Sequence, residues 1–232
     1  MKYVPLTAMD ELSRKGYIFL PKLDPDCSSL EVAKCLGSVV DLQKAYPGQG
    51  LKTVHPLRAL KENESKPNTY SALLGLREFP PHTDFANWSS PPRFILLRCI
   101  MGHESVFTTI FSGQMLLSCL GDNTSRRALF RPRRKVLAKP MTILPMCFSM
   151  QGSQAIRWDP RFLRPVNQEA AAAVSKAAMS VDLQTPTSRV QLSSQGDTII
   201  IDNWRCLHGR SQIGAEAVNR HLERVLLDEV KL

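Results

Sequence analysis

No run in this chain approaches the ~20 apolar residues that a membrane-spanning helix needs, so no transmembrane segment is expected. The six cysteines, at 27, 35, 99, 119, 147 and 206, form no CxxC pair and no zinc-finger spacing, which argues against structural zinc and dithiol chemistry. Cys35, Cys99, Cys147 and Cys206 lie in apolar runs, as buried thiols in a reducing compartment do. The first residues offer only a short apolar stretch before Asp10 and make a poor signal peptide, so a soluble, cytoplasmic protein is expected. Aromatic residues are sparse at 7%. The most basic stretch, Arg126, Arg127, Arg131, Arg133, Arg134, Lys135 and Lys139, holds only Phe130 among its charges. A nucleic-acid surface pairs charge with stacking platforms; a solvated basic face fits this composition better. The formal charge of +9 suits an acidic substrate or partner, or plain solubility.

What is present is enough for one core. A hydrophobic fraction of 43% in 232 residues fits a single domain over 1–232. The pattern predicts a helix from Ala8 to Gly16, a strand at Tyr17–Pro21, and a helix at Leu30–Leu36 that Ser28 or Ser29 can cap. Residues 41–69 are polar and rich in turn formers, so they read as a lid or as an ordinary surface loop. Strands follow at Arg93–Ile100 and Ser105–Phe111, then a short helix at Gln114–Leu120. Residues 121–165 read as an insertion between core strands, with β character at Met141–Met150 and Ala155–Trp158. The alanine-rich stretch Gln168–Val181 predicts a helix, and Thr198–Ile201 and His221–Val230 predict strands. Periodicity alone gives an α+β chain, mainly β, with flanking helices.

Two islands carry chemistry. The first is Phe79-Pro80-Pro81-His82-Thr83-Asp84. On an extended strand, residues two apart share a face, so His82 and Asp84 can ligate one metal. The second runs from Asp202-Asn203-Trp204-Arg205-Cys206-Leu207-His208-Gly209-Arg210 to Arg220-His221-Leu222-Glu223-Arg224. Only five histidines exist. His55 falls in the 41–69 loop, His103 in a turn, and His221 on the face opposite Arg220, which leaves His82 and His208. Two imidazoles and a carboxylate on one face, with positions left open, form the facial triad of non-haem iron oxygenases. Asp202 reads as a brace for the turn before His208. Arg157 and Trp88 are candidates to line a substrate pocket.

These islands resemble the taurine dioxygenase/γ-butyrobetaine hydroxylase superfamily of Fe(II)- and 2-oxoglutarate-dependent oxygenases, from about Gly16 to the C-terminus. The resemblance implies a double-stranded β-helix, the jelly roll shared with cupins, with His82, Asp84 and His208 as iron ligands. It implies Fe(II), 2-oxoglutarate and O2 as cofactor and cosubstrates. Arg220, twelve positions after His208, takes the role of the arginine that holds the distal carboxylate of 2-oxoglutarate, which a guanidinium does by a bidentate fork. A hydroxyl beside it is expected on the strand after the first island, with Ser105 first and Thr109 as fallback. In the taurine branch an arginine placed like Arg224 holds the substrate's anion; a surface salt bridge is the alternative for Arg224.

The function that follows is hydroxylation of a small, anionic or amino-acid-like metabolite, with release of succinate and CO2. Halogenation is disfavoured, since related halogenases lack a carboxylate at the Asp84 position. Other readings are an oxygenase acting on nucleic acid or on an acidic carrier protein docked at the basic face, and a non-catalytic or zinc-binding jelly roll. Repair oxygenases that act on nucleic acid have two arginines six apart after the distal histidine; here Arg220 and Arg224 are four apart.

Overall fold

A computed structural model describes residues 7–45, 51–67, 69–133 and 142–232. Two antiparallel sheets dominate. The larger has the order β1 (Tyr17–Leu20), β13 (Thr198–Asp202), β5 (Phe94–Met101), β15 (His221–Val230) and β2 (Gly37–Val39), with β3 (Val54–Arg58) also pairing along β15. The smaller has the order β12 (Ser188–Gln191), β6 (Phe107–Ser112), β14 (Cys206–Arg210) and β4 (Phe79–His82). One apolar cluster joins them: Ile95, Leu97, Ile199, Ile201, Leu222 and Leu226 from the larger sheet meet Ile110, Val190 and Cys206 from the smaller. The residues between these face outward, as the two-residue period of a strand requires. Leu96, Ile200, Val225 and Leu227 turn to a second cluster under α1 (Ala8–Lys15) and α2 (Ser29–Leu36).

The outer face of the smaller sheet is covered by the 121–165 region and the helices around it. Phe111 and Leu207 pack with Leu116 and Leu120 of α5 (Gly113–Leu120) and with Ala170 and Ala173 of α7 (Gln168–Met179). Between these helices lie α6 (Asp122–Arg127) and two small sheets. One has the order β11 (Leu163–Pro165), β7 (Leu129–Pro132), β8 (Leu144–Pro145); the other pairs β9 (Cys147–Met150) with β10 (Ser153–Ile156). The architecture is therefore mostly β, with several antiparallel sheets and flanking helices.

Local signals explain the element ends. Ser28 caps α2 in a capping box with Glu31, which satisfies two amides that the first helical turn leaves free. Gly16 ends α1 in a left-handed conformation at φ 79°, where a β-carbon would be strained. The 41–69 region is not loop throughout: α3 (Leu42–Ala45) opens it, and β3 lies along the first half of β15. Pro56 is tolerated there because β3 is an edge strand, where the missing N–H costs no ladder bond. A short helix, α4 (Tyr70–Leu74), then leads to β4. Of the basic stretch, Arg126 pairs with Asp122 and Arg127 with Glu169, which favours the solvated face; Arg134, Lys135 and Lys139 lie outside the described residues.

Candidate metal centre

His82 ends β4 and lies directly opposite His208 on β14. Directly opposed residues share a sheet face, so both imidazoles point into the space between the sheets. The backbone is bulged here, because Phe79 opposes Arg210 while His82 opposes His208. Gly209 permits this: a β-carbon there would run into the Phe79 carbonyl. Asp84 follows in the turn after β4. Its Oδ1 lies 3.6 Å from His82 Nε2 and 3.7 Å from His208 Nε2, and the three ligand atoms fall within 4.8 Å of one another. These separations are too long for hydrogen bonds. They suit three atoms each about 2.0–2.2 Å from one divalent ion. Among the described residues this is the one such cluster.

The surroundings fix each ligand. Thr83, on the back of the strand, exchanges hydrogen bonds with the main chain of Trp158. Asn203 clamps Asp84 by its backbone: the Asp84 N–H donates to Asn203 Oδ1 at 2.7 Å and Asn203 Nδ2 donates to the Asp84 carbonyl at 3.0 Å. Asp202 braces the next turn by accepting from the Trp204 N–H, as expected. His82 Nδ1 lies 2.9 Å from the Pro80 carbonyl, which makes Nδ1 the donor and leaves Nε2 free for a metal. The Tyr70 ring stacks on His82 at 4.2 Å, and its hydroxyl donates to Asp159 Oδ1. α4 thus roofs the first ligand.

Burial and charge set the protonation. Burial alone would raise the Asp84 carboxyl, but Arg224 and the two imidazoles outweigh it and hold Asp84 well below the usual carboxylate range. Burial lowers the His208 imidazole. At His82 burial acts the same way, yet Asp84 and then Asp159 overcome it and push this imidazole up. An ionised carboxylate facing imidazoles is the state that a divalent metal requires.

The expected site residues divide. Arg220, just before β15, and Arg224 within it have the same strand phase as the inward-facing Leu222 and Leu226. Arg220 is buried, its Nε has no partner, and no carboxylate pairs with it among the described residues; burial lowers it to about 10. An unpaired buried cation is costly, so this one fits a ligand that brings the anion. Arg224 is not in a surface bridge: it is largely buried, and its NH1 donates to Asp84 Oδ2 at 2.7 Å while its Nε has no partner. Arg157 is buried and committed to the main chain. Its guanidinium donates to the carbonyls of Pro145, Ala86, Trp88 and Ser89, and so ties down the chain just after Asp84. Trp88 is a core residue against Phe85. Ser105 sits in the turn before β6, exposed, with its hydroxyl donated to Glu216. Thr109 opposes Gly209 and not His208, so the strand period turns it outward with Phe111. Thr108, two residues from the inward Ile110, is buried on the inner face; nothing in the sequence fixes which residues of 105–111 face inward. His55 lies in β3 opposite Arg224, and burial, then Arg224, lowers it to about 4.

No family model and no curated protein sequence matches the chain. Solved structures do match. An asparagine oxygenase in complex with Fe(II), (2S,3S)-3-hydroxyasparagine and succinate superposes with a TM-score of 0.65 over 96% of this chain and 79% of its own, at 18% identity. The fold is that of the iron oxygenases. The non-haem iron oxygenase OrfP, with Fe, succinate and (3S)-hydroxy-L-Arg, gives 0.57 at 21% identity over 76% of this chain, which spans 57% of OrfP. The PvcB protein from Pseudomonas aeruginosa gives 0.64 at 19% identity over 97% of this chain and 80% of its own. In this fold the cluster sits between the two large sheets, with His82 at the end of β4, Asp84 in the turn after it and His208 within β14.

Proposed function

We propose that the protein is an Fe(II)- and 2-oxoglutarate-dependent dioxygenase. It hydroxylates a small amino-acid-like or anionic metabolite, taking one 2-oxoglutarate and one O2 and releasing succinate and CO2. The observation that carries this is the pairing, on facing sheets, of the largely buried His82/Asp84/His208 cluster with Arg220, buried and without a carboxylate partner among the described residues. A zinc site or a passive jelly roll accounts for the cluster but leaves Arg220 without a purpose. We read the two facing sheets as a double-stranded β-helix.

Bound at the triad, Fe(II) would supply the activation of O2 coupled to decarboxylation of the 2-oxo acid. The chain's own residues bind and orient. Arg220 pairs with the distal carboxylate of 2-oxoglutarate, and the Thr108 hydroxyl donates to the same group. Tyr70 covers His82 and keeps water off that side. Arg224 remains within reach of an anion on the substrate through its Nε, which is buried without a partner. The amino-acid reading is supported by the hydroxylated amino acids in two matching structures. The basic stretch has no role in this scheme, and its described arginines are partly neutralised by Asp122 and Glu169.

The test is a panel of free α-amino acids and small carboxylates supplied with Fe(II), 2-oxoglutarate and air, with succinate as the readout. One or more should release succinate, and His208→Ala should abolish the release. Absence of succinate across the panel, with no visible charge-transfer band on anaerobic addition of Fe(II) and 2-oxoglutarate, would sink the reading.

A further inference from the structure

The two oxygens of Asp84 do different work. Oδ1 faces both imidazoles, while Oδ2 accepts from Arg224 NH1 at 2.7 Å. The Arg224 guanidinium lies 4.9 Å from the centre of the Phe85 ring. Phe85 itself holds φ at +56°, a conformation that strains a bulky residue. That turn, closed by the Trp88 N–H on the Phe85 carbonyl, sets the ring under the arginine. Asn203 fixes the backbone of Asp84 but leaves its carboxylate free to rotate. Arg224 is what stops it.

We propose that Arg224 is a positioning residue for the metal centre: it holds Asp84 Oδ2 so that the carboxylate meets the metal through Oδ1 alone. The inference rests on the triad being a metal site and goes beyond an anion-binding role for Arg224. A carboxylate free to rotate can take two positions on an ion or none. With Oδ2 held, it takes one and leaves the others for exogenous ligands.

The sign of the effect separates orientation from charge. Removing a guanidinium beside a divalent cation removes repulsion and by charge alone tightens metal binding. Losing a group that orients a ligand weakens binding, typically on the order of 10–100-fold. The experiment is calorimetric titration of the whole protein with Co(II), with neither cosubstrate nor substrate present. Arg224→Met, which keeps the stem against Phe85, should bind Co(II) on the order of 10–100-fold more weakly than the native protein. Arg224→Lys should fall between them, and serves if the Met variant does not fold. Arg126→Met, on the exposed face of α6, should match the native affinity. Affinity in Arg224→Met that is unchanged or tighter overturns the proposal, as does Arg224→Lys binding no worse than native when Met cannot be measured. If the native protein binds no Co(II), the metal-site reading fails and this inference with it; if only the Arg224 variants match the native protein, this inference alone falls.

Discussion

Two buried arginines, one behind the triad and one between the sheets, are treated in opposite ways. Arg157 is 1% exposed and gives its fork to four main-chain carbonyls. Arg220 is 7% exposed, and no carboxylate pairs with it among the described residues. A guanidinium has five donors and cannot be neutralised at ordinary pH, so each pocket must answer the charge somehow. The first answers it with carbonyl dipoles and becomes scaffold. The second, on the proposed reading, is left for an anion that no described carboxylate supplies. Burial and residue type are the same; the acceptors alone distinguish the two.

The sharpest way to break this contrast is Arg220→Met. Loss of the partner to a buried carboxylate, at roughly 3–5 kcal/mol, should raise the KM for 2-oxoglutarate by on the order of 100-fold or more. Stability without cosubstrate should not fall. Added 2-oxoglutarate should raise the melting temperature of the metal-loaded native protein and leave that of the variant unmoved. Equal KM values would place the anchor elsewhere.

Arg157→Met should do the reverse. The Ala86 and Trp88 carbonyls each lose a buried donor, at roughly 1–3 kcal/mol apiece, so denaturant unfolding should show a loss of about 3 kcal/mol. A variant as stable as the native protein would mean that the carbonyls find water instead, and would remove Arg157 from the scaffold.

Smaller effects refine the Arg220 pocket. Thr108→Val should raise the KM for 2-oxoglutarate about 10-fold, the cost of one hydrogen bond to a charged group. Thr109→Val should change it less than about twofold, because that side chain faces the other way. The opposite ranking would show that the inner face of β6 has been misread. Ser105→Ala should be silent in the same assay, since its hydroxyl serves Glu216.

Much of this was legible in the sequence, and the failures have a common cause. His82, Asp84 and His208 could be read from residue type and spacing, although Asp84 reaches the cluster from the turn after β4 and not along an extended strand. β5, α7 and β15 follow from strong apolar patterns, and the bounds of β15 match at both ends. The 41–69 loop hid β3, because Val54–Arg58 carries histidine, proline and arginine and takes its strand form from pairing with β15. Arg157 and Trp88 have the right chemistry for a pocket, and only the carbonyls around one and the Phe85 ring beside the other show that they are spent. Asn203, Tyr70 and Thr108 carried no signal of their own, because each acts through a partner far along the chain or through the phase of a strand.

β15 also bears on how the protein reaches its folded state. It lies inside the larger sheet, with β5 on one side and β2 and β3 on the other, and it brings Arg224 to Asp84 across 140 positions of sequence. Contacts of such separation require long loops to close before they reward the chain, and they form slowly. His82 and His208 meet only when β4 and β14 pair, again across more than half the chain. No local fragment can therefore assemble the triad ahead of the sheets, and a chain arrested with β15 undocked lacks the Arg224 hydrogen bond to Asp84. On the proposed reading, metal uptake becomes a late event, and tight binding an assay for completed folding.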